Sequence, residues 1–299
     1  MTGNEFLAER FEERRPQLRA VAYRMLGSLS EADDAVQEAW LRLSRSDSAA
    51  IENLGGWLTT VVGRVCLDML RSRTARREEP LEEPGGQVRI PDPIISGPGG
   101  PDPEQQALLA DSVGLALLVV LETLGPAERL AFVLHDLFAV PFDDIAPVIG
   151  RTPAAARQLA SRARRRVQAT APTPGADPAR HRRIVDAFLA AARDGDLDAL
   201  VAVLDPDVVV RSDGGALRPS AVHRGATNVA SQAITFARFA RASASRPVLV
   251  NGTPGVMAEA DGRIFAILSF TIAHGKITAL DILTDPERLA RIDPAVLDG

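Results

Sequence analysis

The stretch from Phe142 to Gln168 constrains the fold most strongly, because it encodes two short helices around a tight turn. Apolar residues at helical spacing precede Gly150, and glycine tolerates the backbone angles with which a helix often ends. Thr152 then provides an N-cap, and Pro153 occupies the first helical position, where its missing N–H costs nothing. The segment therefore predicts a helix-turn-helix motif.

The second helix of this motif has one narrow apolar stripe and an otherwise basic surface without acidic residues. The stripe consists of Ala156, Leu159, Ala163 and Val167. The remaining surface carries Arg157, Gln158, Ser161, Arg162, Arg164, Arg165 and Arg166. Arginine and glutamine pair bidentately with base edges in a DNA major groove, and further arginines neutralise phosphates. We favour DNA binding over a solvated basic helix end, because the turn, the cap and the charge agree.

Composition limits the remaining function classes. The 299 residues predict two or three domains, and the 46% of hydrophobic residues suffice for substantial cores. The net charge of −5 means that local basic patches must attract DNA. Cys66 is the single cysteine, which excludes an internal disulfide and a cysteine-based zinc site. The charged N-terminus and the short longest apolar run, Val113 to Leu121, predict a cytoplasmic protein without membrane spans, and no pattern indicates a cofactor or a metal.

Residues 1–75 carry a helical pattern with two polar faces. A helix capped by Ser30 and ending at Leu43 presents an acidic side that includes Asp34 and Glu38. The next helix, 54–73, is predicted to bury Leu54, Trp57, Leu58, Val61, Val65 and Met69. Thr60, Arg64 and Arg71 point away from that face. A tryptophan beside threonines and arginines suits stacking on single-stranded DNA, although a tryptophan at helical spacing more often belongs to a core.

Two proline-rich segments divide the chain. Residues 76–103 contain seven prolines and five glycines, so we expect a linker without regular structure. Residues 104–168 are predicted to contain a helix pair followed by the helix-turn-helix that this pair supports. A second linker, 169–178, leads to residues 179–299, where helices precede several strand-like runs. The fold class is therefore multidomain, with two all-α modules followed by an α+β domain.

Residues 6–168 resemble a bacterial sigma factor of the extracytoplasmic-function (ECF) type. The resemblance lies in DDAVQEAWLRL (33–43), WLTTVVGRVCLDMLRSR (57–73) and PFDDIAPVIGRTPAAARQLASRARRRV (141–167), in this order and spacing. It implies a region 2 module that docks on core RNA polymerase through Asp34 and Glu38. The same module would grip the −10 promoter element through Trp57, Thr60, Arg64 and Arg71. The resemblance further implies a region 4 module that reads the −35 element of promoter DNA through Thr152, Arg157, Gln158, Ser161, Arg162 and Arg165.

The C-terminal residues resemble a SnoaL-like domain, a cone of curved sheet and helices. The resemblance lies in RDGDLDALVAVLDPDVVV (193–210), in His223-Arg224-Gly225 before a helix, and in the closing strands. A subgroup of ECF sigma factors carries such an extension, which regulates the protein in place of a separate anti-sigma factor. Its Asp-Gly-Gly turn is matched by Asp213, Gly214 and Gly215. Its C-terminal motif is matched by Asp285, Pro286 and Leu289.

Relatives of this C-terminal fold include enzymes that move protons with an acid and a polarising donor. The titratable candidates are Asp207, Asp213, His223, His274 and Asp281, but their spacing indicates no catalytic pair. We therefore expect no enzyme, and leave open whether this domain binds a small-molecule ligand. Two alternatives to a sigma factor remain, a one-component helix-turn-helix regulator with a ligand-sensing domain and a SnoaL-type enzyme with accessory helices.

Overall fold

The computed structural model describes residues 3–46, 51–78, 88–97, 100, 114–170, 177–215, 220–239 and 244–292. These residues form two compact units. One unit contains the two helical modules, and the other contains the C-terminal domain together with part of the proline-rich segment. The start of the helix pair predicted for 104–168 lies outside the described residues, because they resume only at 114.

The first module consists of three helices around an apolar core. Helix α1 spans Gly3–Leu26, α2 spans Leu29–Ser44 and α3 spans Leu54–Glu78. The buried residues of α2 recur every three or four positions, namely Ala32, Ala35, Val36, Ala39 and Leu43. The N-cap of α2 is Ser28, two residues before the predicted Ser30, because Ser28 has the extended backbone that precedes the helix.

The buried face of α3 differs from the predicted one. Trp57, Val61 and Met69 are only half-buried. The core is instead completed by Val62, Cys66, Leu67 and Leu70, beside the predicted Leu54, Leu58 and Val65. Apolar residues lie on more than one side of this helix because it packs on α1 and α2 and also on the second helical module.

The second module contains the predicted helix-turn-helix. Helix α4 spans Leu115–Glu122 and α5 spans Pro126–Phe132, followed by a π-helical turn at Val133–Leu137. Helices α6, Phe142–Ile149, and α7, Pro153–Thr170, form the motif. Gly150 ends α6 at φ 65°, and the Thr152 Oγ1 accepts a hydrogen bond from the Ala155 N–H at 3.3 Å. The predictions that Gly150 ends the first helix of the motif and that Thr152 caps the second are both confirmed.

The C-terminal domain is built on a seven-stranded sheet. Its helices are α8, Pro178–Asp194, α9, Leu197–Val203, α10, Ala226–Phe239, and α11, Pro286–Leu289. Its strands are β2, Leu204–Asp213, β3, Ala221–Arg224, β4, Ala244–Val250, β5, Thr253–Ala260, β6, Arg263–Ala273, and β7, Lys276–Leu283. The remaining strand, β1, spans Ile95–Ser96. The sheet order is β1-β4-β5-β6-β7-β2-β3, and only the β2–β7 pair is parallel among the described strands. The α+β prediction is therefore confirmed.

Strand β1, Ile95–Ser96, comes from the proline-rich segment and not from the C-terminal residues. It pairs antiparallel with β4, with Ile95 opposite Val250 and Ser96 opposite Leu249. Ile90, Ile94 and Ile95 are buried. The prediction that no regular element occurs in 76–103 is therefore wrong in two places. Helix α3 continues to Glu78, and the stretch around β1 is ordered because its isoleucines bury apolar surface against the C-terminal domain.

Candidate DNA-binding and regulatory sites

Helix α7 exposes most of the side chains predicted to contact the −35 element. Thr152, Arg157, Gln158, Arg162 and Arg165 are exposed, and Ser161 is half-buried. The apolar stripe of α7 is buried at Ala156, Ala160, Ala163 and Val167, whereas the predicted Leu159 is only half-buried. The buried stripe packs α7 on α5 and α6, and most of its polar face is exposed.

Two of the arginines on this helix serve the fold of the module. The Arg164 Nε donates to the Asp136 Oδ1 at 2.7 Å, and the Arg166 Nη1 donates to the Glu128 Oε2 at 2.9 Å. The sequence alone predicts both side chains on the exposed basic surface. Their acidic partners lie 28 and 38 residues earlier in the chain, so helical spacing gave no sign of them.

Arg157 is held differently. Its guanidinium lies 5.3 Å from the ring centroid of Phe142, whose ring stacks on His135 at 3.8 Å. A cation over an aromatic face is attracted by the ring quadrupole. This contact orients a long side chain near the start of α7, and the side chain remains exposed.

The −10 candidates lie along α3. Arg64 and Arg71 are exposed, and Trp57 and Thr60 are half-buried. The Thr60 Oγ1 donates to the Gly56 carbonyl at 2.9 Å, so this hydroxyl is bound within the helix. A half-buried tryptophan can contribute to packing and still present part of its ring to a base.

The polymerase candidates lie on the outer face of α2. Asp34 is exposed. Glu38 is half-buried, and its Oε1 accepts a hydrogen bond from the Arg42 Nε at 2.9 Å. The buried alanines of α2 face the other way, so both carboxylates point out of the module.

The two helical modules contact each other directly. The side chain of Arg129 in α5 is 3% exposed, and its Nη1 donates to the Met25 carbonyl at 2.8 Å and to the Glu122 Oε1 at 2.9 Å. A Cβ atom placed on Gly63 of α3 would lie 3.1 Å from Leu134 Cδ1. A glycine therefore permits the close approach of the two modules.

Arg288 of α11 joins the proline-rich segment to the Asp-Gly-Gly turn. Its Nε donates to the Asp92 Oδ1 at 2.7 Å, its Nη1 to the Asp213 Oδ2 at 2.8 Å and its Nη2 to the Ile90 carbonyl at 2.6 Å. The same Asp213 Oδ2 accepts from the Ile90 N–H at 2.9 Å. One guanidinium thus connects three parts of the chain that are far apart in sequence.

Asn251 holds the same segment a few residues further on. Its side-chain oxygen accepts from the Ile94 N–H at 3.1 Å, and its N–H donates to the Ile94 carbonyl at 2.8 Å. We refer to the side chains of Asp92, Asp213, Asn251 and Arg288 as the linker clasp. Of these four residues, the sequence predicts a regulatory role only for Asp213.

The two regulatory motifs predicted from the sequence lie against each other. Asp213 accepts a hydrogen bond from the Gly215 N–H at 3.0 Å. Gly215 has φ 68°, and a Cβ atom there would clash with the Asp285 carboxylate. Asp285 caps α11 through the Glu287 N–H, Pro286 begins this helix, and Leu289 is buried. The glycine and the capped helix place Arg288 beside Asp213.

The titratable candidates of the C-terminal domain do not converge. Asp281 is buried and paired with Arg211 at 2.7 Å on the neighbouring strand. Burial raises the pKa of the Asp281 carboxyl, while the Arg211 guanidinium opposes this rise. Of the five candidates, His223 alone is among the described residues that line the large cavity of this domain. These described residues offer no acid–base pair for proton transfer.

Within the described part of the chain, no helix is long and apolar enough to cross a bilayer. The same residues contain no group of three or more histidine, cysteine or acidic side chains arranged to hold a metal ion. The single cysteine, Cys66, is buried, and burial raises the pKa of its thiol.

Comparison with known proteins agrees with these features. The family described as Sigma-70 region 2 matches residues 10–76, and the family described as Sigma-70, region 4 matches residues 114–167. A probable ECF RNA polymerase sigma factor SigI of Mycobacterium tuberculosis is 37% identical over 290 residues, which are 97% of each chain. The ECF RNA polymerase sigma factor SigJ of Mycobacterium tuberculosis is 40% identical over 291 residues, covering 93% of this chain and 91% of the relative.

The similarity extends to the three-dimensional structure. The crystal structure of Mycobacterium tuberculosis SigJ superposes with a TM-score of 0.74 at 36% identity, covering 95% of this chain and 98% of the other. The two helical modules and their motif define a sigma factor. More narrowly, the chain belongs to the ECF sigma factor family, with a SnoaL-like C-terminal domain. It is an alternative sigma factor, which directs core RNA polymerase to promoters and initiates transcription.

Proposed function

We propose that α7 reads the −35 element with Arg157, Gln158, Ser161 and Arg162, and that Thr152 and Arg165 contact the DNA backbone. The exposure of most of these side chains on the helix after the turn supports this proposal. We further propose that Trp57, Thr60, Arg64 and Arg71 grip the −10 element, and that Asp34 and Glu38 contact the polymerase.

We expect Arg162→Ala to weaken promoter binding, because it removes an exposed cation from the recognition helix. The loss is about 1–3 kcal/mol for a base contact, and a phosphate contact would instead reduce the salt slope by about one. The holoenzyme would be titrated with −35 DNA by fluorescence anisotropy at several salt concentrations. Arg166→Ala is the matched control, since Arg166 is paired with Glu128. Equal losses in both variants would contradict the assignment.

We also propose that the C-terminal domain inhibits this sigma factor in cis through the linker clasp. The observation that carries this proposal is the Arg288 guanidinium, which binds Asp92, Asp213 and the Ile90 carbonyl at once. Residues 88–97 belong to the segment that joins the two DNA-reading modules, so fixing them shortens the span available to those modules.

The spacing of the two promoter elements explains why fixing the linker would reduce promoter binding. The −10 and −35 elements lie a set distance apart along the promoter, so the linker must be long enough for both modules to reach their elements at once. An extended chain covers about 3.3–3.6 Å per residue, so a clasped linker loses the reach of each residue that it fixes. Two linked modules gain avidity only when the linker lets both reach their sites.

A reversible disulfide tests this proposal. Ser96 and Leu249 are paired across β1 and β4, and directly opposed residues in antiparallel strands have Cα atoms within the range that a disulfide requires. We expect the oxidised Ser96→Cys/Leu249→Cys variant to give about tenfold less run-off transcript than the reduced form, in line with the loss of linked avidity. Ser96→Cys alone is the control. Equal output from the oxidised and reduced double variant would overturn the inhibitory role.

A further inference from the structure

The C-terminal domain contains a cavity of about 610 Å³ between α8, α10 and the sheet. This volume lies in the range that accommodates a small organic ligand. Its walls are mainly apolar and include Phe188, Val229, Val256, Leu268, Leu280 and Ile282. Such walls favour a ligand with an apolar body, because burying that body removes its surface from water.

The polar groups of the cavity favour one sign of charge. Arg193, His223 and Gln232 line it, together with the hydroxyls of Ser212 and Thr284. No aspartate or glutamate is among the described residues that line this space. Arg193 lies in the last turn of α8 and is exposed. Because no carboxylate lies beside Arg193 among the described residues of the cavity lining, its guanidinium can attract a carboxylate or another acidic group of a ligand.

The opening carries an apolar side chain in contact with water. Phe236 of α10 lines the cavity and is 42% exposed. Its ring lies 6.2 Å from the ring of Phe265, at an interplanar angle of 41°. A bound apolar molecule would cover this ring, which adds to the favourable free energy of binding.

The cavity wall is continuous with the linker clasp. Ser212 and Thr284 line the cavity, and the residue after each of them, Asp213 and Asp285, belongs to the regulatory motifs. The Thr284 N–H and Oγ1 both bind the Asp213 carbonyl, at 2.8 and 3.2 Å. A ligand that displaces Thr284 therefore shifts Asp213. The Asp213 carboxylate in turn accepts the hydrogen bonds from Arg288 and from the Ile90 N–H.

We propose that this cavity binds an apolar small molecule with one acidic group, and that its occupancy changes the hold of the clasp on the linker. The second clause rests on the proposed inhibitory function of the clasp. Binding sites whose occupancy changes a shared element are coupled in both directions. Ligand affinity must therefore differ between a chain with an intact clasp and a chain with an open one.

Two fluorescent probes that differ by one acidic group test the ligand class. The probes are 1-anilinonaphthalene-8-sulfonate and its uncharged analogue N-phenyl-1-naphthylamine, titrated into the full-length protein without polymerase or DNA. We expect both to bind, with Arg193→Ala weakening the sulfonate probe severalfold and leaving the uncharged probe unchanged. Arg183→Ala, an exposed arginine on the same helix, is the matched control. Equal effects on the two probes would overturn the acidic-group preference.

Filling the cavity tests the site itself. Ala233 lines it on α10, whereas Ala202 is exposed on α9 and outside the lining. We expect Ala233→Trp to abolish binding of both probes and Ala202→Trp to retain it; unchanged binding in Ala233→Trp would overturn the site. We expect Arg288→Ala to shift the sulfonate affinity at least threefold, and an unchanged affinity would overturn the coupling. None of these readouts involves transcription, so failure here is distinguishable from failure of the inhibitory clasp.

Discussion

Replacing Arg288 with alanine is expected to release residues 88–97 from the C-terminal domain. The change removes the bonds to Asp92 and the Ile90 carbonyl, and leaves the buried Asp213 carboxylate without its cation. Breaking one side of a buried ion pair costs about 3–5 kcal/mol. At the lower limit, the Ile90 and Ile94 amides should exchange with deuterium about 100-fold faster.

The transcriptional consequence follows from the longer free linker. Run-off transcription with core polymerase should rise in Arg288→Ala, which is the opposite of the effect of the disulfide across β1 and β4. Arg288→Lys should be intermediate, because an ammonium group keeps the charge but not the planar fork. Arg291→Ala is the matched control, since Arg291 is exposed just after the same helix. Wild-type protection of Ile90 in Arg288→Ala would show that the guanidinium does not hold the segment.

Gly63→Phe is expected to separate the two helical modules. A phenylalanine ring at this position would overlap the Leu134 side chain. Overpacking of this kind lowers the free energy of unfolding by about 1–3 kcal/mol. Resonance energy transfer between dyes on Gln37→Cys and Gln168→Cys should fall, because the labelled helices belong to different modules. Native Cys66 does not interfere, since burial raises the pKa of its thiol and shields it.

The control variants separate opening from unfolding. Gly63→Ala should give a small change, because its added carbon requires Leu134 to move by only a few tenths of an ångström. Ala75→Phe places the same ring on an exposed position of α3 and should leave the transfer unchanged. Helix content by circular dichroism should stay constant in all three. Unchanged transfer in Gly63→Phe would contradict a direct contact between the modules in solution.

Local signals made the helix-turn-helix predictable. Gly150, Thr152 and Pro153 each specify backbone geometry through their own chemistry, and the structure has this geometry. The face of α3 was harder to predict, because apolar residues occupy adjacent positions such as 61 and 62. Only the packing partners decide which of them is buried, and one partner is the second module.

The linker clasp depends on contacts that sequence patterns do not reveal. Ile90 and Asp213 are 123 residues apart, and Ile90 and Arg288 are 198 apart. The density of prolines predicts an irregular path, but it indicates neither strand β1 nor the burial of the neighbouring isoleucines. Asn251 did have a local signal, because Asn251-Gly252 has positive φ at both positions and is a typical hairpin turn. That signal identifies the turn and not its contact with Ile94.

The short strand β1 has a consequence for the released state. It covers only Leu249 and Val250 of β4, and the remaining edge of that strand carries Arg246 and Pro247, which discourage pairing with other strands. When the linker leaves, an apolar stretch of β4 loses its backbone partners. Unpaired edges are templates for strand addition, so the freed edge favours the return of the same tethered segment. We therefore expect release of the linker to be reversible, because the freed edge of β4 can pair again with the same tethered segment.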